Sequence, residues 1–584
     1  ASNGALAVQA VQVTNAQGKL LAAADSTFSL TSNGGLNNQQ GQVAGGNIAV
    51  NTGTQAINNL QGVFAATSQL AIQSGSLNND GGLLQSGGAL SLNTHGAALS
   101  NRNSGDNGGI LSQGNLLISS GALDNSSGVL VGGSTSQLST AALNNQQGQL
   151  ISQGALTLTS QALNNQAGLV QSGNTLALNT QGQTLTNTDS GDAGGILSQG
   201  AMTLTTGNLN NQNGFILGQA VTAILHADTL NNLSGTFASR GALTLDSGAI
   251  NNDGGLLQSA AALTIDTHGE AISNRNSGDR GGILSQGTLT VRAGHLDNQS
   301  GVLMGNQNSA LTLAQVNNQH GILGSQQGNL SLTTQAFDNT AGLIQSGQSL
   351  TLDTQGQRLT NTASGQTGGL FSLGDLTLNA GDVDNQSGVI VSQQSANIST
   401  QTLNNQNGKL ASGGDLSLLT QAVNNTGGLM QSQGAMSLDT HGQSLNNTYS
   451  GESGGISSQG NLTLTTGQFD NTQGFIASNA QAAITSGEFI NQNGLLGSRL
   501  DLTLSTAALT NQQGTLQAGQ TLALDTHGQQ LDNQNNGLIS AGNTLQLLTG
   551  ALLNQSGQLQ SRESLSINTQ GQLLDNQNGL MLSG

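Results

Sequence analysis

An apolar residue followed two positions later by asparagine recurs every 20–24 residues along the whole chain, and this schedule constrains the fold more than any other feature. The apolar positions run from Val13, Leu36, Ile57, Leu77 and Leu99 to Leu531, Leu552 and Leu574, giving 27 units with their Asn from Asn15 to Asn576. One clean copy, LNNQQGQLISQGALTLTSQA, covers 143–162: apolar–x–Asn, Gly, apolar–x–Ser, a turn, then Leu–x–Leu–x–Thr. Repetition at this period marks a solenoid or an array, in which each unit is one supersecondary element.

Inside a unit the local period is two. Leu156 and Leu158 point one way and Thr157 and Thr159 the other, which predicts half-buried strands. Pairs such as Gln-Gly, Gly-Gly and Ser-Gly between them predict turns. About 20 residues carrying two or three short strands cannot bury an apolar face alone, whereas stacked copies can. The expected fold is therefore all-β: a parallel β-helix of about 27 coils. At one strand spacing per coil it would be roughly 130 Å long. No repeat-free block interrupts the series, so 1–584 reads as a single continuous repeat domain.

Composition agrees with a solenoid and excludes other classes. Aromatic residues are 2 % and charged residues 7 %, with no Trp, Pro or Cys, which is too few bulky side chains for a globular core of this length. Disorder is rejected because the apolar residues keep strict time. Ten Lys plus Arg against a net charge of −18 leave no basic patch, so neither nucleic acid nor an anionic lipid surface is an expected partner. No apolar run approaches the roughly 20 residues of a membrane-spanning helix. The opening ASNGALAVQAVQV lacks a basic start and a continuous apolar stretch, so a piece of a longer protein is expected.

The unit spacing varies in an ordered way. From Leu99 the steps are 24, 20, 20 and 22, then 24, 21, 20 and 22, and so on to Leu531, which makes a four-coil superperiod of 86 or 87 residues. Two residues are gained at NTHG (93–96), NTQG (179–182), DTHG (266–269), DTQG (353–356), DTHG (439–442) and DTHG (525–528). Four more follow the apolar–x–Asn strand at NSGD (103–106), DSGD (189–192), NSGD (276–279), ASGQ (363–366) and YSGE (449–452). Insertions into a solenoid loop outward. Paired bulges are thus expected near 93–109, 179–195, 266–282, 353–369, 439–455 and 525–537, at one corner of every fourth coil.

The unit Asn, among them Asn145, Asn165, Asn211, Asn298, Asn405 and Asn511, form a structural row in this reading. They either hydrogen-bond one another up the stack or serve as turn residues bonding their own backbone. The Gly three residues later (Gly148, Gly168, Gly214, Gly301) is expected to supply a positive-φ corner. Chemistry-bearing side chains are scarce. The best cluster is His268, Arg275, Asp279 and Arg280 in one bulge, echoed by His95, Arg102 and Asp106; with the single Tyr, Tyr449, these are the candidate binding residues. Four His in Thr-His-Gly tripeptides lie a superperiod or more apart, roughly 19 Å at least, too far to share a metal ion. No catalytic set, metal site or cofactor is expected, and outward Thr rows are too irregular for an ice lattice.

The repeat closely resembles the 20-residue repeat of filamentous-haemagglutinin and HecA-type adhesins, which include CdiA-type contact-dependent growth inhibition effectors. The L-N-N…G…S…G…L-x-L order that carries the resemblance spans essentially the whole chain. The resemblance implies a right-handed β-helix, secreted through an outer-membrane two-partner secretion transporter to a Gram-negative cell surface. It also implies a non-enzymatic role as the shaft that holds a receptor-binding or toxin region away from the cell. The alternative is an adhesive module that binds glycans or a receptor through the bulge row.

Overall fold

A computed structural model of the chain describes every residue except Asp192, Ala220, Val221 and Glu452. The second and fifth four-residue insertions therefore each end on a residue outside the described ones. Two compact units are present, Ala1–His295 and Leu296–Gly584. Among the described residues there are 73 strands and no helix, wound as about 29 turns of a parallel β-solenoid. The small excess over 27 falls at the ends, where Leu6–Ala10 precedes the first apolar–x–Asn pair and Leu580–Ser583 follows the last.

One coil of the first unit shows the construction. Gln149–Ser152 and Leu156–Thr159 are followed by Ala162–Asn164, and each pairs in parallel with its equivalent one coil on. Leu150 meets Val170, Leu156 meets Leu176 and Leu163 meets Leu185. All six are buried, and full burial of such a side chain is worth roughly 1.5–3 kcal/mol. Like side chains therefore pile into continuous columns, and every coil contributes to the core of its neighbours. The second unit repeats the plan with Leu410, Leu416 and Leu418. It also stacks Phe469 on Phe489, with ring centroids 4.7 Å apart at an interplanar angle of 19°.

The Ser of the repeat staples the turn between Gln149–Ser152 and Leu156–Thr159. Ser152 is buried, and its hydroxyl lies 3.0 Å from the Ala155 carbonyl and 2.9 Å from that of Ser134 in the preceding coil.

The corner glycine does not do what its position suggests. Positive φ belongs to the residue before it: Gln147 (54°), Ala167 (51°) and Asn213 (49°), whereas Gly148, Gly168 and Gly214 are not in the left-handed region. Space is what requires glycine there. A Cβ on Gly148 would lie 2.2 Å from the Asn125 carbonyl oxygen of the coil below and 2.7 Å from Asn145 Oδ1. The same two contacts close on Gly168, at 2.2 Å from Asn145 O and 2.7 Å from Asn165 Oδ1.

The longer steps flank one short strand. In the first unit this is Leu99–Ser100, Leu185–Thr186 and Ile272–Ser273; in the second, Leu359–Thr360, Leu445–Asn446 and Leu531–Asp532. Before Leu99 the chain makes a tight turn closed by Ala97 N–H on Thr94 O at 2.9 Å, with positive φ at both His95 (51°) and Gly96 (79°). That is the type I′ pattern. The side chain of Asn93 holds it by accepting the His95 N–H at 2.8 Å. After Ser100 the inserted residues leave the sheet: Asn103, Gly105, Asp106 and Asn107 are exposed, while Ser104 is buried.

Candidate functional site

The asparagine row is a hydrogen-bonded ladder. Asn145 Nδ2 donates to Asn165 Oδ1 at 2.7 Å, and also lies 3.3 Å from Gly148 O and 3.1 Å from Leu169 O. In the first unit the side-chain relay runs from Asn15 to Asn274 with every step between 2.6 and 2.8 Å. In the second it runs from Asn298 through Asn405 and Asn511 to Asn576 over the same range. Asn145, Asn165, Asn211, Asn298, Asn405 and Asn511 are 0 % exposed, so the row presents nothing to a ligand.

A second ladder runs beside it on the outer face, with the opposite polarity. Asn164 Nδ2 donates back to Asn144 Oδ1 at 3.1 Å, and Asn144 donates back to Asp124 at 3.2 Å. In the second unit Asn424 donates to Asn404 at 3.1 Å and Asn404 to Asp384 at 3.0 Å. Each outer oxygen also accepts a backbone N–H two residues on, as Asn164 does from Gln166 at 3.1 Å. The middle residue of the Leu-Asn-Asn triplet carried this signal, and reading the triplet for its last residue alone missed it.

The bulge residues are not gathered into one cluster. Arg102 reaches down to the half-buried Asp80, with Nε at 3.0 Å and Nη2 at 2.6 Å from Oδ2. Its own backbone N–H and the Ser100 hydroxyl bond Asp80 Oδ1. Arg275 and Asp253 repeat this geometry at 3.0 and 2.6 Å, with the Ser273 hydroxyl at 2.6 Å. Burial pushes both carboxyls up, but the arginine and serine hydrogen bonds outweigh it and hold them below the ordinary carboxylate value. His95 turns back onto the Ser74 carbonyl at 3.0 Å. His268 sits on Asp246 at 2.5 Å, and His226 takes the other oxygen of that carboxylate at 2.9 Å. Hydrogen bonds from His226, then His268, hold the Asp246 carboxyl below its ordinary value.

Asp106, Asp279 and Arg280 are exposed in the inserted turns, without an ion pair among the described residues. A recess of about 600 Å³ opens beside the last two, lined by Ser234, Thr236, Gly254, Ser277, Asp279 and Arg280. Tyr449 is 62 % exposed, at a φ of 54°.

The inserted serine has a role that reading the insertion as a wholly outward loop overlooked. In a plain coil the Gln149 N–H bonds the Gly128 carbonyl at 2.8 Å. Where the insertion displaces that carbonyl, a serine hydroxyl accepts instead: Ser104 from Val129 N–H at 3.1 Å, Ser364 from Val389 at 3.1 Å and Ser450 from Phe475 at 2.9 Å. The serine keeps the sheet ladder closed across the interruption.

Among the described residues no three His, Asp or Glu side chains converge as metal ligands, and no helix is long and apolar enough to cross a membrane. The recurring Asn side chains are committed to coil-on-coil bonding. No curated protein and no solved structure matches the chain. The model of the family described as haemagglutinin repeat matches residues 1–42, 43–106, 93–189, 220–279, 271–328, 314–366, 356–405, 394–465, 437–535 and 524–577. The chain therefore belongs to the haemagglutinin repeat family and is an adhesin-type repeat region of the filamentous-haemagglutinin kind.

Proposed function

We propose that residues 1–584 act as one continuous shaft of a secreted cell-surface exoprotein, an adhesin or a CdiA-type contact-dependent inhibition effector, holding a distal receptor-binding or toxin region away from the cell. The observation that carries this reading is the saturated asparagine ladder: from Asn15 to Asn554 the recurring side chain is buried and spent on its neighbours. Family membership supports export through an outer-membrane two-partner secretion transporter to a Gram-negative surface. The test removes one superperiod, residues 185–271, from the parent exoprotein, so that Leu163 is followed in register by Ile272. A shaft predicts normal secretion, shortened reach and no cell binding by the purified repeat region. Specific binding by the purified region, lost when the four-residue insertions are deleted, would overturn it.

The recess beside Asp279 and Arg280 favours a second reading, in which the bulge row itself binds a glycan or receptor. Hydroxyl, carboxylate and guanidinium groups line it, the set that hydrogen-bonds a polyhydroxylated ligand. Glycan binding that falls on Arg280→Asn would support this reading, and its absence would leave the shaft.

A further inference from the structure

We propose that the Arg280–Gly281 peptide bond is a cleavage site for an endopeptidase of trypsin-type specificity, and that the solenoid stays assembled after the cut. Most of the backbone, corners included, hydrogen-bonds a neighbouring coil, and an endopeptidase needs a segment it can draw into its cleft. Exposed loop tips are where such segments are found. The bulge at 276–281 supplies one. Residues 278–280 are exposed turn, Gly278 and Gly282 have φ of 58° and 111°, and the loop is closed by Gly281 N–H on Ser277 O at 2.9 Å. Glycines follow the arginine at 281 and 282, so the leaving side carries no side chains, and the loop need only lift off the Gly255 carbonyl, which the Gly282 N–H bonds at 2.7 Å, to enter a cleft.

Arg280 stands apart from the other basic residues. Arg102, Arg275 and Arg358 are held by Asp80, Asp253 and Asp384. Lys19, Arg292 and Lys409 lie in strands, and Arg240, Arg499 and Arg562 occupy short corners between strands. The bulge at 103–109 is a natural control: over fifteen residues 100–114 differ from 273–287 only in having Asn107 where the second copy has Arg280. The same loop is thus built twice, once with the side chain that a trypsin-type specificity pocket accepts and once without it.

In the cleavage, water adds across the amide: the bond from the Arg280 carbonyl carbon to the Gly281 nitrogen breaks, leaving a carboxylate on Arg280 and an amino group on Gly281. Bonds on both sides of the nick remain. Gly282–Ser285 pairs with Leu256–Ser259, and Leu289–Arg292 continues the ladder on Leu263–Asp266. The Asn252 side chain bonds Asn274 Oδ1 at 2.8 Å, before the cut, and Gly282 O at 3.3 Å, after it.

The test is limited trypsin digestion of the folded protein, read by mass spectrometry, with Arg280→Asn and Arg280→Lys alongside. Fragments 1–280 and 281–584 should appear first, co-elute in native buffer and separate in denaturant. Arg280→Asn, which installs the residue of the other copy, should be cut at least about tenfold more slowly, and Arg280→Lys should still be cut there. A first cut elsewhere, equal resistance of wild type and Arg280→Asn, or separation of the halves in native buffer would overturn the proposal.

Discussion

Asn145 gives its side-chain amide to the side-chain carbonyl of Asn165, one coil on, at 2.7 Å, with both groups fully buried. One residue away on the outer face, Asn164 returns the gesture to Asn144 at 3.1 Å. Where both occur, neighbouring ladders of opposite polarity tie a coil to the one above and the one below. Identical side chains at strand spacing make such ladders self-consistent, because every amide offers the donor its neighbour lacks. The arrangement also explains why asparagine cannot be traded for an apolar residue of similar size in a single coil. A lone replacement breaks two links and leaves polar atoms in the dry interior.

Asn145→Leu is therefore expected to destabilise its coil by about 2–3 kcal/mol, since Asn165 Oδ1 loses its donor where water cannot reach. In a solenoid the damage should stay near the site. Hydrogen exchange should accelerate for amides of the coils at 123–170 and remain unchanged several coils away. Unchanged exchange around Asn145 would refute the ladder as a source of stability.

The corner makes a pair of opposite predictions at adjacent residues. Gly148→Ala must displace either a backbone carbonyl or the ladder, and should cost at least about 2 kcal/mol. Gln147→Gly relieves a left-handed conformation that costs an L-residue about 1–2 kcal/mol, partly offset by a freer unfolded chain. It should be neutral or stabilising by up to about 1 kcal/mol. Thermal melts of the two variants decide the matter: a tolerated Gly148→Ala would refute the lack of room at 148, and a destabilising Gln147→Gly would refute left-handed strain at 147.

The stacking was legible in the sequence because Leu156 and Leu158 alternate with Thr157 and Thr159, and because the Asn keeps its place through 27 units. The corner was misread for a physical reason. Residues with left-handed φ vary freely among Gln147, Ala167, Ser300, His320 and Gln473, so their types hide the dihedral. Glycine recurs beside them for lack of room. The ion pairs were hidden because Asp80 and Arg102 are 22 residues apart, and only stacking with side-chain reach joins them. His226 and His268 meet on Asp246 for the same reason, although nothing in their local sequence is shared.

Ser364→Ala should leave the Val389 N–H without its acceptor inside a sheet that is otherwise closed. An unmatched buried donor costs about 1–3 kcal/mol, and the effect is addressable at one amide. Exchange of the Val389 amide should rise sharply while that of Lys409, which bonds the Gly388 carbonyl at 2.9 Å, holds. Ser364→Thr, which retains a hydroxyl, should preserve most of the protection. Loss of protection in Ser364→Thr equal to that in Ser364→Ala would point to packing rather than hydrogen bonding.

The arginine–aspartate links predict how the first unit responds to acid. The Asp80 and Asp253 carboxyls lie below the ordinary carboxylate value when folded. Their contribution is therefore complete above that value, about 4, and is lost as pH falls through the depressed folded value. Replacing Arg102 and Arg275 by Gln removes the strongest donors, leaving the burial that pushes both carboxyls up. The double variant should melt below wild type at pH 7, by no more than about 1 kcal/mol per partly exposed pair. The gap should shrink as pH drops and close once Asp80 and Asp253 are protonated in both proteins. Melting curves at pH 7, 4 and 2 would show it, and a gap that stays constant into acid would mean that the arginines act through their aliphatic stems rather than their charge.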